Sequence, residues 1–168
     1  MKRLTLIRHA KSSWSEPGLA DFDRPLNERG QRDAPKMGKH LRKHGLSPDL
    51  FVSSPAKRAL TTAQTIAQAL AYPSDAIRKL DAVYEASLAT LLNVVHELDD
   101  NHSDIVLFGH NPGITVLANF LVGVHIDNVP TCGVVMIELA VDNWRDVERD
   151  CGRLLGFDYP KKNKRTAN

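Results

Sequence analysis

The sequence predicts an α/β domain in which helices cover a largely parallel sheet. Three short runs, at residues 4–7, 49–54 and 104–109, are rich in Val, Ile, Leu and Phe, as expected for strands buried on both faces. Each run is followed by a loop or by a segment with helical periodicity, and this alternation is typical of layered α/β folds. In such folds ligands bind at the carboxyl ends of the strands.

The first two helices are predicted from their boundary signals. A helix that began near residue 27 would contain Pro35, which breaks helices, so its regular part is predicted to run from about Asp33 to Gly45. Ser54 and Pro55 favour the start of the second helix, with the serine as N-cap and the proline in the first helical position. Alanine, isoleucine and leucine residues then recur on one face of that helix.

The remaining elements are predicted from periodicity and from short polar joints. Ser87 opens a third amphipathic helix, and a fourth candidate runs over residues 113–121. Two late apolar segments, 133–141 and 152–159, have the character of strands. The polar joint between them is short, which favours an antiparallel pair.

Composition and charge restrict the classes of protein to which the chain can belong. At 168 residues we expect one domain over 1–160, followed by a basic tail over 161–168. The net charge of +2 is too small to predict nucleic-acid binding, and no apolar stretch is long enough for a membrane span. The first apolar run is short and no cleavage site follows it, so we expect a cytoplasmic protein.

Basic side chains follow all three predicted central strands. Arg8 and His9 end the first strand, Arg58 lies in the first turns of the helix after the second, and His110 follows the third. Because the carboxyl ends of parallel strands meet at one edge of a sheet, we expect these four side chains to lie close together. Two guanidinium forks suit the oxygens of a dianion, which makes phosphate the predicted ligand.

Histidine adds chemistry to this predicted phosphate site. A neutral imidazole nitrogen can attack phosphorus, and the arginines can stabilise the oxygens of the transition state without a metal. A metal centre is the weaker interpretation, because His9 and His110 occur without the spacing of a zinc motif, and no glycine-rich nucleotide loop is present. Asp21, Asp23 and Arg24 either line the mouth of the pocket or pair with each other on a solvated loop, and pairing is the preferred interpretation.

Three motifs in order give the chain a family resemblance. LIRHAKSSW, SSPAKRALTTAQT and VLFGHNPG together resemble the histidine phosphatase superfamily, and within it they are most similar to the SixA-type phosphohistidine phosphatases. The similarity extends over nearly the whole chain and includes DFDRPLNERG. It implies a phosphoglycerate mutase-like fold, a three-layer α/β/α sandwich with a mostly parallel central sheet.

The resemblance also implies roles for individual residues. Arg8 and Arg58 match the two phosphate-binding arginines, His9 the nucleophile that becomes phosphorylated, and His110 the second histidine of the pocket. All four would contact the phosphoryl group. Neither a metal nor another cofactor is implied.

Two further residues follow from the same resemblance. Members of the superfamily use a carboxylate after the second arginine to protonate the leaving group, and Glu85 occupies that place in this chain. Ser15 stands where many members have an asparagine, and its hydroxyl could still donate one hydrogen bond to phosphate. The glycine that usually follows the first Arg-His pair is replaced by Ala10.

The length of the chain favours one substrate class over others. Only about 25 residues separate Glu85 from His110, which leaves no room for a sizeable lid insertion. An open pocket suits phosphohistidine on a phosphocarrier protein or a phosphotransfer domain, so a phosphorylated protein is the expected partner. The alternatives are a phosphatase of small phosphomonoesters and a non-catalytic, phosphate-dependent binding domain; mutase activity is disfavoured by the missing lid.

Overall fold

A six-stranded mixed sheet forms the centre of the fold in a computed structural model that describes residues 1–162. The strands are β1 (Lys2–Arg8), β2 (Leu50–Ser53), β3 (Arg78–Lys79), β4 (Asp104–Gly109), β5 (Val134–Leu139) and β6 (Gly152–Asp158). Their spatial order is β3-β2-β4-β1-β5-β6. Strands β1 to β4 pair in parallel, and β5 is antiparallel to both β1 and β6. The antiparallel pair predicted for the last two strands is therefore confirmed.

Four α-helices cover the sheet in two layers. They are α1 (Glu28–Lys43), α2 (Lys57–Ala69), α3 (Leu88–His96) and α4 (Gly113–Val122). Leu4 and Leu6 of β1 belong to one buried cluster with α3 and α4, whereas Ile7 belongs to a second cluster with α1 and α2. This alternation is the period of two that a strand buried on both faces requires. The predicted three-layer α/β/α sandwich is confirmed.

The register of the sheet places three strand ends at one edge. Arg8 at the end of β1 pairs with Gly109 at the end of β4, and Ser53 at the end of β2 pairs with Phe108. The residues that directly follow β1, β2 and β4 therefore lie next to one another at the carboxyl ends of the strands. Only residues 97–103 connect α3 to β4, and no lid-sized insertion interrupts the described part of the chain.

The predicted start of α1 at Asp33 is wrong, because the helix begins five residues earlier. Asn27 is its N-cap and accepts a hydrogen bond from the Gly30 N–H at 2.9 Å. Pro35 therefore lies inside the helix, where it removes only one backbone hydrogen bond. The capped first turn and the buried apolar side chains that follow offset this loss. Gly30 fits closely here, since a Cβ on it would lie 2.2 Å from the Lys11 carbonyl oxygen.

The predicted N-cap of α2 is also wrong. The helix begins at Lys57, and its N-cap residue, Ala56, has no side chain that can accept a hydrogen bond. The Ser54 hydroxyl instead accepts from the Ala56 N–H at 3.2 Å, which forms a turn ahead of the helix. This turn moves the helix start beyond Pro55 and leaves Ser54 at the edge of the sheet.

Two other boundaries show where local signals succeed and fail. Ser87 caps α3 as predicted, because its hydroxyl accepts from the Thr90 N–H at 3.2 Å. The two-residue strand β3 was not predicted, since both of its side chains are charged and exposed.

Of the predicted basic tail, residues 163–168 lie outside the described residues. No helix within 1–162 is long and apolar enough to cross a membrane.

Candidate active site

The three strand ends bring the two predicted pocket histidines into contact. His9 directly follows β1 and His110 directly follows β4, and their ring centroids lie 5.2 Å apart. Arg8 and Arg58 lie close enough to lower the pKa of each histidine through their charge. The structure therefore brings together all four residues that the sequence placed in one pocket.

The hydrogen bonds of His9 determine which ring nitrogen is free. Its Nδ1 lies 2.7 Å from the Ala10 carbonyl oxygen. A carbonyl only accepts, so Nδ1 carries the proton and donates it. The lone pair of a neutral His9 is then on Nε2, which is the nitrogen available for attack. Ala10 itself is fixed, since its N–H donates to the Thr62 hydroxyl of α2 at 3.0 Å.

Both histidines are held in the neutral form. Burial lowers the pKa of His9 to about 3, and the charges of His110, Arg58 and Arg8 add to this effect, while the bond to Ala10 opposes it. Burial and Arg58 lower the pKa of His110 to about 4. Neutral imidazoles are therefore present throughout the physiological pH range.

Two guanidinium groups lie beside these neutral rings. Arg58 is buried, with 7% of its surface exposed. Burial lowers the pKa of Arg8, and the nearby charge of Arg58 lowers it further. One terminal nitrogen of Arg8 donates to the Val129 carbonyl at 3.1 Å, while its buried Nε has no hydrogen-bond partner within the described residues. Like charges at close range favour binding of an anion between them.

His110 is oriented by two contacts that the sequence did not reveal. Its Nε2 lies 2.8 Å from the Ser54 hydroxyl, and the edge of the ring meets Tyr84 at a centroid distance of 5.5 Å. Ser54 is fully buried at the end of β2. The serine that was predicted as a helix cap therefore supports the second histidine instead.

Asp21 has a larger role in the pocket than its predicted pairing on a solvated loop. It pairs with Arg24 at 2.9 Å, as the preferred interpretation required. The same carboxylate also accepts from Arg58 at 2.9 Å and from the Tyr84 hydroxyl at 2.6 Å. The structure thus favours the alternative in which Asp21 lines the mouth of the pocket.

The two remaining candidates, Glu85 and Ser15, both lie on exposed segments of the chain. Glu85 is exposed, follows Tyr84 directly and has a left-handed backbone with φ of 53°. Its charge helps to raise the pKa of Tyr84 to about 12, although the Asp21 hydrogen bond is the largest cause. Ser15 lies on an exposed loop, where its hydroxyl bonds to that of Ser13 at 2.8 Å. No contact joins Ser15 to the four pocket residues in the described structure.

Sequence reasoning overlooked Ser54 and Tyr84 and underrated Asp21. A serine before a proline gives the same signal whether it caps a helix or contacts a histidine, and a single tyrosine carries no pattern. The stretch DFDR did offer a signal, because paired acids next to an arginine also occur at binding sites. Within residues 1–162 there is no group of three or more His, Cys, Asp or Glu residues arranged to hold a metal ion.

The lowered pKa of His9 predicts that acid destabilises the protein. The unfolded chain binds a proton near pH 6.5, whereas folded His9 binds one only near pH 3, so stability falls as the pH drops through this interval. Between about pH 7 and about pH 5, His9 should lower the free energy of unfolding by roughly 2 kcal/mol. The free energy of unfolding, measured with urea, should therefore fall by about 2 kcal/mol less in His9→Asn than in the wild type over that pH range.

A matched control uses a histidine far from the pocket. The side chain of His125 is 80% exposed, and His125→Asn should lose as much stability as the wild type between the two pH values. Equal losses in the wild type and in His9→Asn would contradict a buried, neutral His9.

Comparisons with known proteins agree with this geometry. The family model described as histidine phosphatase superfamily (branch 1) matches residues 4–91. An uncharacterised protein of Mycobacterium tuberculosis is 32% identical over an alignment of 166 residues that covers 92% of this chain and 100% of that protein. A 2,3-bisphosphoglycerate-dependent phosphoglycerate mutase of Bartonella bacilliformis is 35% identical over 92 residues, covering 54% of this chain and 45% of the mutase.

Solved structures extend the match over the whole fold. The crystal structure of a putative phosphohistidine phosphatase SixA from Agrobacterium tumefaciens superimposes with a TM-score of 0.79 and 28% identity. The superposition covers 95% of this chain and 98% of that one. The matched family model includes Arg8, His9 and Arg58, and the fold is that of the SixA structure. The chain belongs to the histidine phosphatase superfamily.

Proposed function

We propose that this protein is a phosphatase that forms a phosphohistidine intermediate on His9 and acts on phosphohistidine in other proteins. The observation that carries the proposal is the proximity of two guanidinium groups and two neutral imidazoles at the carboxyl ends of the strands. An oxyanion is the ligand that such a set of donors binds best. A neutral imidazole with a free Nε2 supplies the nucleophile.

The reaction has two steps in this proposal. In the first, the Nε2 lone pair of His9 attacks phosphorus, the bond from phosphorus to the leaving nitrogen breaks, and the leaving imidazole takes up a proton from the carboxyl group of Glu85. In the second, water attacks phosphorus and gives a proton to the Glu85 carboxylate, the bond from phosphorus to Nε2 breaks with its electron pair returning to Nε2, and inorganic phosphate leaves. Arg8 and Arg58 stabilise the charge on the phosphoryl oxygens in both transition states.

The open pocket supports a protein substrate. No lid-sized insertion covers the pocket in the described residues, and the phosphatase to which the fold is similar is a putative SixA. A phosphohistidine side chain projects from its own protein surface and needs an approach that a lid would block. The similarity to a mutase covers only part of the chain and favours a second candidate, hydrolysis of a small phosphomonoester.

Substrates that carry the phosphoryl group in different settings distinguish the two candidates. We would measure kcat/KM for a histidine-phosphorylated phosphotransfer protein, free phosphohistidine, 3-phosphoglycerate and 4-nitrophenyl phosphate. The proposal predicts the highest value for the phosphorylated protein. A higher value for 3-phosphoglycerate would support the second candidate. If no substrate were turned over, the protein would instead be a non-catalytic domain that binds phosphate.

The role proposed for Glu85 predicts a dependence on the leaving group. General acid catalysis contributes about 10²–10⁴-fold when the leaving group is a poor one. Glu85→Gln should therefore lower kcat/KM by roughly 10²-fold for an alkyl phosphate, whose alkoxide needs a proton. Hydrolysis of 4-nitrophenyl phosphate should change little, because nitrophenolate leaves without a proton.

A nearby carboxylate provides the control for this experiment. The side chain of Asp81 is exposed on the same connection, and the bond from the Tyr84 N–H goes to the Asp81 backbone carbonyl, which a side-chain substitution keeps. Asp81→Asn should leave both rates unchanged. An equal loss for both substrates in Glu85→Gln would exclude Glu85 as the proton donor.

A further inference from the structure

Asp21 makes the densest set of polar contacts at the edge of the pocket. It opens a short 3₁₀ turn, Asp21–Asp23, in the loop between β1 and α1. Its backbone carbonyl accepts from one terminal nitrogen of Arg58 at 2.7 Å, and its carboxylate accepts from the other at 2.9 Å. One residue thus holds both ends of the guanidinium fork.

The two bonds fix Arg58 but do not exhaust its donors. A guanidinium has five N–H groups, and Asp21 takes two of them. The other N–H groups of Arg58 have no hydrogen-bond acceptor among residues 1–162. The charge of Arg58 lowers the pKa of His9, His110 and Arg8, so the guanidinium lies near all three pocket groups. A phosphoryl oxygen in the pocket would therefore meet donors whose direction Asp21 sets.

Asp21 is itself held from the opposite side. Its second carboxylate oxygen accepts from Arg24, a buried side chain that also donates to the Ser12 hydroxyl and to the Ser13 carbonyl. The Arg24 guanidinium lies on the ring of Trp14, 3.2 Å from the ring centroid. The carboxylate that orients Arg58 is therefore tied through Arg24 to residues 12–14 of the same loop.

The contacts of Asp21 suit a charged acceptor and not a proton donor. The Tyr84 hydroxyl shares one carboxylate oxygen with Arg58, and the hydrogen bonds from Tyr84, Arg24 and Arg58 all lower the pKa of Asp21. An ionised carboxylate only accepts hydrogen bonds. It has no proton to give to a leaving group.

We propose that Asp21 is a positioning residue, which orients the Arg58 guanidinium for the transferring phosphoryl group and acts on catalysis through Arg58 alone. The proposal deepens the proposed function and rests on it. Loss of the carboxylate leaves Arg58 held only by the Asp21 backbone carbonyl, so that the guanidinium can tilt about this one bond. Small misplacements of a clamping side chain cost up to about 10²-fold in rate. The carboxylate matters only while Arg58 is present.

A double-mutant cycle tests this dependence. Asp21→Ala should lower kcat/KM for 4-nitrophenyl phosphate by roughly tenfold or more in the wild-type background. In the Arg58→Ala background the same change should lower it by less than about twofold, since there is no guanidinium left to orient. A similar loss in both backgrounds would overturn the proposal, because a structural role or an independent catalytic role is additive.

Control variants separate positioning from folding. Asp23 lies in the same turn with an exposed side chain, and Asp23→Ala should keep the wild-type kcat/KM. Asp21→Asn preserves the shape of the side chain and replaces Asp21→Ala in the cycle if the alanine variant does not fold. A loss of Tm with unchanged kcat/KM in Asp21→Asn would also overturn the proposal.

The same double-mutant cycle can be measured without turnover, with the affinity for orthovanadate, determined by calorimetry, in place of kcat/KM. The affinity should fall in Asp21→Ala by a factor similar to that in kcat/KM, and it should be insensitive to Asp21 once Arg58 is gone. A wild type that binds vanadate with this coupling but hydrolyses nothing would overturn the proposed function while supporting the role of Asp21. Vanadate affinity that does not depend on Asp21 would overturn the role of Asp21.

Discussion

Replacing His9 with asparagine should reduce phosphatase turnover by at least about 10³-fold. Asparagine fills a similar space and retains a hydrogen-bonding side chain, but it has no nitrogen lone pair able to attack phosphorus. Arg8, Arg58 and His110 stay in place, so inhibition by inorganic phosphate should persist. The measurement is kcat and KM for 4-nitrophenyl phosphate together with the phosphate inhibition constant.

The control for this variant is a histidine outside the pocket. His125→Asn should keep wild-type kinetics, since that side chain is exposed and pairs with Asp127. If His9→Asn retained more than a few per cent of the wild-type rate, direct attack by water on the substrate would replace the covalent mechanism.

Replacing Arg58 with alanine should lower kcat/KM by about 10²–10³-fold, or about 3–4 kcal/mol of transition-state stabilisation. Arg58 is buried, and its guanidinium lies close enough to both histidines and to Arg8 to lower their pKa values. Arg58→Lys should recover only part of the loss, because an ammonium group lacks the planar fork that Asp21 holds at two nitrogens. Steady-state kinetics with 4-nitrophenyl phosphate measure both effects.

Lys57, which precedes Arg58, provides a control that separates the specific contact of Arg58 from a general effect of positive charge. Lys57 is exposed at the start of α2, so Lys57→Ala removes one positive charge from the same helical turn and should change kcat/KM less than about threefold. Equal losses in Lys57→Ala and Arg58→Ala would mean that the helix terminus attracts the substrate by its charge and that Arg58 makes no specific contact.

The sequence predicted the parts of the fold that depend on burial. The central parts of β1, β2 and β4 are rich in Val, Ile, Leu and Phe because both faces of these strands are covered, and that pattern is visible in the sequence. The first helix was placed too late because the rule against proline is local. The cap at Asn27 and the packing of the helix outweigh that rule, and packing depends on residues far apart in sequence.

The sequence predicted the positions of those site residues that directly follow a strand. His9 and His110 follow neighbouring parallel strands, so their proximity follows from the order of the elements. The bond from Asp21 to Arg58 joins a loop to a helix across 37 positions, and no periodic pattern records such a contact. The partners that orient a site lie on irregular segments, where sequence gives the least information.

Identification of the phosphorylated residue during turnover tests the central claim most directly. The enzyme is mixed with excess 4-nitrophenyl phosphate, quenched in denaturing alkali within one turnover, digested and analysed by mass spectrometry. The mechanism predicts a phosphoryl group on His9 that survives base, is lost in acid and is absent from His9→Asn. A phosphoryl group on another residue, or one that survives acid, would contradict it.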